Sequence, residues 1–196
     1  MAKSLVSGDP AARLAERQGW ITDGMQESAQ TAIAEAFERL GGEGLRSALH
    51  GDWLHEPLHA VITDVPVGSW TAAVVFDGIA ALTGSDGMDA AADACVGLGL
   101  LGAVGAAITG INDWAEVKEE APRRIGAVHA LLNVAATGLF VGSLIARKVS
   151  GSRSNGRALA ALGLVVASAS AHLGGNLVYE HGVGVQGKEA ASPGWD

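Results

Sequence analysis

One cysteine, Cys95, stands in 196 residues. A lone cysteine excludes an internal disulfide and a self-contained iron–sulfur or cysteine-rich zinc site. Aromatic residues make up only 5% of the chain and charged residues 17%, where soluble domains carry about 25% charge. The net charge is -8 with no basic stripe to offset it, which excludes nucleic acid as a partner. The polar stretch from Met1 to Gly19 lacks the charged-then-apolar layout of a signal peptide. What the chain does have is 48% hydrophobic residues and 28 glycines. Small residues at that frequency are what membrane helices use to approach one another closely.

Four apolar runs cover residues 59–82, 90–114, 124–146 and 157–179. Each is close to the ~20 residues that cross a bilayer. A soluble bundle would need a polar stripe every three or four residues, and residues 96–111 have none. The links at 84–89, 115–123 and 147–156 are short, which makes neighbouring helices antiparallel. Ahead of the runs, residues 27–40 suit an amphipathic helix with Ile33, Ala36, Phe37 and Leu40 on one face, and Gly41, Gly42 and Gly44 end it. The expected fold is therefore all-α. It is an integral membrane four-helix bundle over 51–185, preceded by a soluble N-terminal segment over 1–50 with an amphipathic helix and followed by a polar tail over 186–196. Both termini fall on one side, here called proximal. Arg39, Arg46, Lys118, Arg123, Arg124 and Lys188 lie near it, and Arg147, Lys148, Arg153 and Arg157 lie at the distal side. The positive-inside rule then expects cytoplasmic termini in a plasma membrane.

Two motifs match better on paper than in context. Gly97-Leu98-Gly99-Leu100-Leu101-Gly102 has the spacing of a dinucleotide fingerprint, but it lies inside an apolar helix with no strand before it, where glycines serve helix packing. His55-Glu56-Pro57-Leu58-His59 has the spacing of a zinc-protease helix. Pro57 fits best as a first helical residue, which leaves His55 outside the helix and breaks the geometry.

The polar residues of the runs gather at the proximal end. His55, His59 and Asp64 open the first run, and Asn112, Asp113 and Trp114 close the second. His129 and Asn133 open the third, and His172, Asn176, Tyr179, Glu180 and His181 close the fourth. His129/Asn133 and His172/Asn176 are i,i+4 pairs, so each lines one helix face. In the distal half Asp77 and a few hydroxyls are the interruptions. Polar groups at membrane depth face the bundle interior and are paired or functional. The cluster either fixes helix register by hydrogen bonding or holds a cofactor, a metal or a transferable proton.

The same residues carry a family likeness. Glu56-Pro57-Leu58-His59 with Thr63-Asp64-Val65-Pro66-Val67-Gly68-Ser69-Trp70, then Asn112-Asp113-Trp114, His129-Ala130-Leu131-Leu132-Asn133, and the stretch from Gly174 to Val185 resemble, in order and spacing, the motifs of a bacterial membrane family known as domain of unknown function 2231. His59, Asp64, His129, Asn133, Tyr179 and His181 match its pattern. Glu56 stands where the family has a first histidine, and His172 is outside its motifs. Such proteins often continue into a Rieske iron–sulfur domain, so the resemblance implies a bacterial inner-membrane protein with a Rieske-type or other redox partner.

The leading expectation is a redox-linked membrane subunit, with b-type haem between helices at the proximal end. A bundle haem takes an axial histidine from one or two helices. The cofactor-binding candidates are His59, His129, His172, Asn133 and Asn176, with Gly126, Ala127, Gly174 and Gly175 leaving room beside the ring. A divalent transition metal without haem is the alternative, held by His59, Asp64, His129 and His181. The third expectation is a non-catalytic anchor or partner subunit. The bilayer is the expected partner throughout, and a homo-oligomer is compatible with the glycine rows.

Overall fold

The computed structural model describes residues 9–185. Helices α1 (Pro10–Arg17), α2 (Asp23–Leu40) and α3 (Gly42–His50) lead into a single 3-10 turn, Asp52–Leu54. Four long helices follow: α4 (Leu58–Thr83), α5 (Asp86–Ala115), α6 (Glu120–Lys148) and α7 (Arg153–Tyr179). No strand occurs among the described residues. The long helices have 26, 30, 29 and 27 residues and are long and apolar enough to cross a membrane. At 1.5 Å per residue they run about 39 to 45 Å, more than the ~30 Å hydrocarbon core. Leu101, Val134 and Val165 stand more than half exposed on them, the apolar exterior a bilayer requires.

α5, α6 and α7 begin or end a few residues outside their apolar runs, because the flanking turns are charged: Asp86 and Asp89 open α5, Glu120 opens α6, and Arg147 and Lys148 close that helix. The amphipathic helix expected over 27–40 starts earlier, at Asp23, where the Thr22 hydroxyl accepts from the Met25 N–H at 3.3 Å. α1 and α3 were not expected. α1 is set by Asp9, whose carboxylate accepts from the Ala11 N–H, with Pro10 as its first residue.

The chain forms two compact units. The distal unit comprises residues 60–107 and 130–171. Trp70 of α4 stacks on Phe140 of α6, ring centroids 4.1 Å apart and 10° from parallel. Ala73, Val96, Ala136 and Ala160 complete the core around them. Glycines let the helices close on these rings. A Cβ at Gly99 would fall 2.3 Å from Trp70 Cδ1, one at Gly163 2.9 Å from Phe140 Cε2, and one at Gly102 2.8 Å from Pro66 Cδ. The row read as a false fingerprint is thus a packing surface for α4, as the sequence context required.

The distal unit also holds a charge network. Arg147 has a fully buried side chain. Its guanidinium grips the Asp77 carboxylate with both terminal nitrogens, reaches Asp93 Oδ1 at 3.3 Å, and donates through Nε to Ser143 Oγ at 3.0 Å. The Ser143 hydroxyl in turn donates to the Gly156 carbonyl at 2.6 Å. Arg153 binds Asp93 in a two-pronged pair at 2.5 and 2.9 Å, Lys148 meets Asp93 at 2.5 Å, and Arg157 meets Asp89 at 2.8 Å.

Candidate functional site

The proximal unit comprises residues 1–59, 108–129 and 172–196, of which 9–185 are described. It brings the first and last turns of the long helices together with α1–α3. His59, on the first turn of α4, places Nδ1 3.3 Å from Thr109 Oγ1 of α5. His129 of α6 meets the His59 ring edge to face, centroids 6.4 Å apart and planes at 86°. Each ring lies in a notch left by a glycine. A Cβ at Gly110 would be 2.7 Å from His59 Cε1 and 3.3 Å from its Nε2. One at Gly174 would be 3.0 Å from His129 Cε1 and 3.8 Å from its Nε2. The Thr109 hydroxyl on Nδ1 fixes the orientation of the His59 ring, as an outer hydrogen-bond partner does for a binding imidazole.

The other expected residues separate into groups. Asn176 is buried in the proximal unit, and His181 there is half-buried. His172 turns outward, 62% exposed at its side chain, with Nε2 on Asp9 Oδ2 at 2.8 Å. The i,i+4 register put His172 on the Asn176 face, but the α1 cap supplies its partner. Asn133 and Asp64 belong to the distal unit, Asn133 half-buried and Asp64 exposed. Among the described residues no three His, Cys, Asp or Glu side chains converge as a metal set. His55 adopts a left-handed turn, φ 60°, ahead of α4, so the protease geometry is absent as its proline implied.

Room for a porphyrin was expected at the glycines. Gly174 is filled by the His129 ring, and Gly126 by Trp114, whose Cδ1 would lie 2.5 Å from an added Cβ. The Trp114 indole N–H donates to the Arg123 carbonyl at 2.9 Å, which holds it there. The notches at Gly174 and Gly126 are thus occupied by protein rings rather than left open beside the imidazoles.

Around the pair the N-terminal helices clamp onto the α5–α6 connection. Gln30 donates to the Trp114 and Val117 carbonyls at 2.8 and 2.9 Å. Arg124 makes a two-pronged pair with Asp23 at 3.0 and 2.7 Å, and its hydrogen bond holds that carboxyl below the usual carboxylate range. Arg123 meets Glu27 at 3.1 Å. His50 lies in a fork of carboxylates, Nδ1 2.8 Å from Asp113 Oδ1 and Nε2 3.0 Å from Glu116 Oε2. The Asp113 hydrogen bond, with the charges of Asp113 and Glu116, raises the His50 imidazole above its ordinary value.

Sequence reading missed His50, Thr109 and Gly110, and passed over Asp77, Asp93 and Arg147 as a network. Thr109-Gly110 lies one turn before Asn112-Asp113, and that spacing was the available signal for the first group. For the second the signal was two carboxylates inside apolar runs against four basic residues in one connection.

The model of a family described as "Predicted membrane protein (DUF2231)" matches residues 55–187. No curated protein and no solved structure matches the chain.

Proposed function

The chain belongs to that membrane family, and from this premise we propose that it is a redox-linked membrane subunit whose centre is the His59–His129 pair, binding one transition-metal ion through these imidazoles. The observation supporting this is the meeting of two imidazoles from α4 and α6 at 6.4 Å, with Thr109 orienting one of them. Imidazole nitrogen suits copper, iron and zinc, and bundle sites are built from side chains on facing helices. An iron or copper ion bound there would supply one-electron transfer. The chain's own part is to bring the two imidazoles together, to hold the His59 ring through Thr109, and to seat the rings against Gly110 and Gly174. Water or a substrate would complete the ligand set. We place the termini on the cytoplasmic face of a bacterial plasma membrane, and a redox protein as partner.

Elemental analysis and a visible spectrum of protein drawn gently from its native membrane test this reading. About one transition-metal ion per chain, lost in His129→Ala, is expected, with no haem absorption. Haem bands in the wild type would return the site to the axial-ligand reading. A wild type with neither metal nor haem would leave a membrane anchor whose polar cluster fixes helix register.

A further inference from the structure

The proximal unit exposes large apolar side chains that its own packing does not use. Trp20 is 64% exposed and Trp53 66% exposed, with Leu54 beside the latter, and Tyr179 at the end of α7 is 89% exposed. Trp53 is fixed rather than loose, because its indole N–H donates to the Ala48 carbonyl at 3.1 Å while the ring faces outward. Their place in the chain limits where these rings can be. Trp53 and Leu54 precede the Leu58 start of α4 by a stretch that spans at most about 17 Å even fully extended. Trp20 precedes Asp23, whose carboxylate grips Arg124 in the first turns of α6. Tyr179 is the last residue of α7. All lie next to those ends of α4, α6 and α7 that belong to the same unit, and these helices are long and apolar enough to cross a membrane. Tryptophan and tyrosine concentrate at that level of a bilayer, where an amphipathic ring has one edge in apolar chains and the other in water.

We propose that the N-terminal segment lies in the lipid headgroup layer on the proximal side, with Trp20, Trp53, Leu54 and Tyr179 inserted as an aromatic anchor. The partner is the zwitterionic interface of the same bilayer. Between residues 9 and 54 there are eight acidic and four basic residues, so attraction to anionic headgroups does not drive the contact. Insertion of the rings does, and it carries no salt dependence of the kind a charged contact has.

The experiment uses the full chain with Trp195→Phe as background, reconstituted in phosphatidylcholine vesicles. Tryptophan emission is read against phosphatidylcholine brominated near the top of its acyl chains and against aqueous iodide. The brominated lipid is expected to quench strongly and iodide little, with no change in 0.5 M salt. Trp20→Phe and Trp53→Phe should each remove part of the lipid-quenched emission, and the double variant most of it. Quenching by iodide without quenching by brominated lipid overturns the proposal. So does emission that responds to neither, which would put a protein partner or a second copy over these rings. Trp70 and Trp114 also emit in the background protein, so the lipid-quenched share of Trp20 and Trp53 is read as the difference from the double variant, and Trp20→Tyr with Trp53→Tyr repeats the reading if the Phe variant folds poorly. None of these outcomes depends on whether the histidine pair holds a metal.

Discussion

At the scale of single residues, the two ends of the long helices use charge differently. His50 takes its raised pKa from the carboxylate fork of Asp113 and Glu116. A group whose folded pKa is raised contributes stability that is fully present below its unfolded value, about 6.5, and lost as pH rises through the higher folded value. The attachment of α3 should therefore weaken as pH climbs above about 6.5, and amide hydrogen exchange in α3 should speed up over that window in the wild type more than in His50→Gln. The ring is partly exposed, so the effect should stay under about 1 kcal/mol. Arg147 is the opposite case, a buried cation serving Asp77, Asp93 and Ser143 together. Removing one partner of a buried pair strands the other charge at a cost of about 3–5 kcal/mol. Arg147→Met should lower the melting temperature in detergent far more than Lys148→Met, whose side chain is 58% exposed. Sequence singled out His59 and His129 as candidates, because a histidine within an apolar run stands out without any partner being known. His50 and Arg147 were not legible as site and network members, since their roles come from partners such as Asp113 and Asp77 that lie far away in sequence.

At the scale of elements, the four spans could be read directly from apolar run length, and their ends could not. The first turn of α7, Arg153 to Arg157, reads as loop because it is charged, yet it is helical with its arginines on Asp93 and Asp89. α1 escaped for a related reason. It is too short to persist alone and is held by His172 on Asp9 and by Arg124 on the Glu16 carbonyl. Glycine frequency signalled close packing but not which glycines are used. Gly99 faces the Trp70 ring, while a Cβ at Gly97 meets nothing within 4 Å. Gly99→Ala should therefore destabilise by about 1–3 kcal/mol or more through overpacking. Gly97→Ala should be neutral or stabilising by up to about 1 kcal/mol through helix propensity. Paired melts in the same detergent decide this, and equal effects would mean α5 does not pack on Trp70.

At the scale of the whole molecule, four crossings by the four candidate spans would put the start of α4 and the end of α7 on one side of the membrane. Reporter fusions after Gly87 and at the C-terminus should give opposite signals, and identical signals would remove a span. The distal arginines add a consideration that composition alone did not give. Arg147, Arg153 and Arg157 are engaged with Asp77, Asp93 and Asp89, so the basic residues of that connection also serve the fold. The central claim, that the proximal end is a two-histidine ligand centre, is tested most directly by X-ray absorption at the copper edge of protein loaded with one equivalent of copper. The account predicts scattering from two imidazoles in the wild type and from one in His59→Gln. A wild type that retains no copper, or whose copper has no imidazole neighbour, would contradict it.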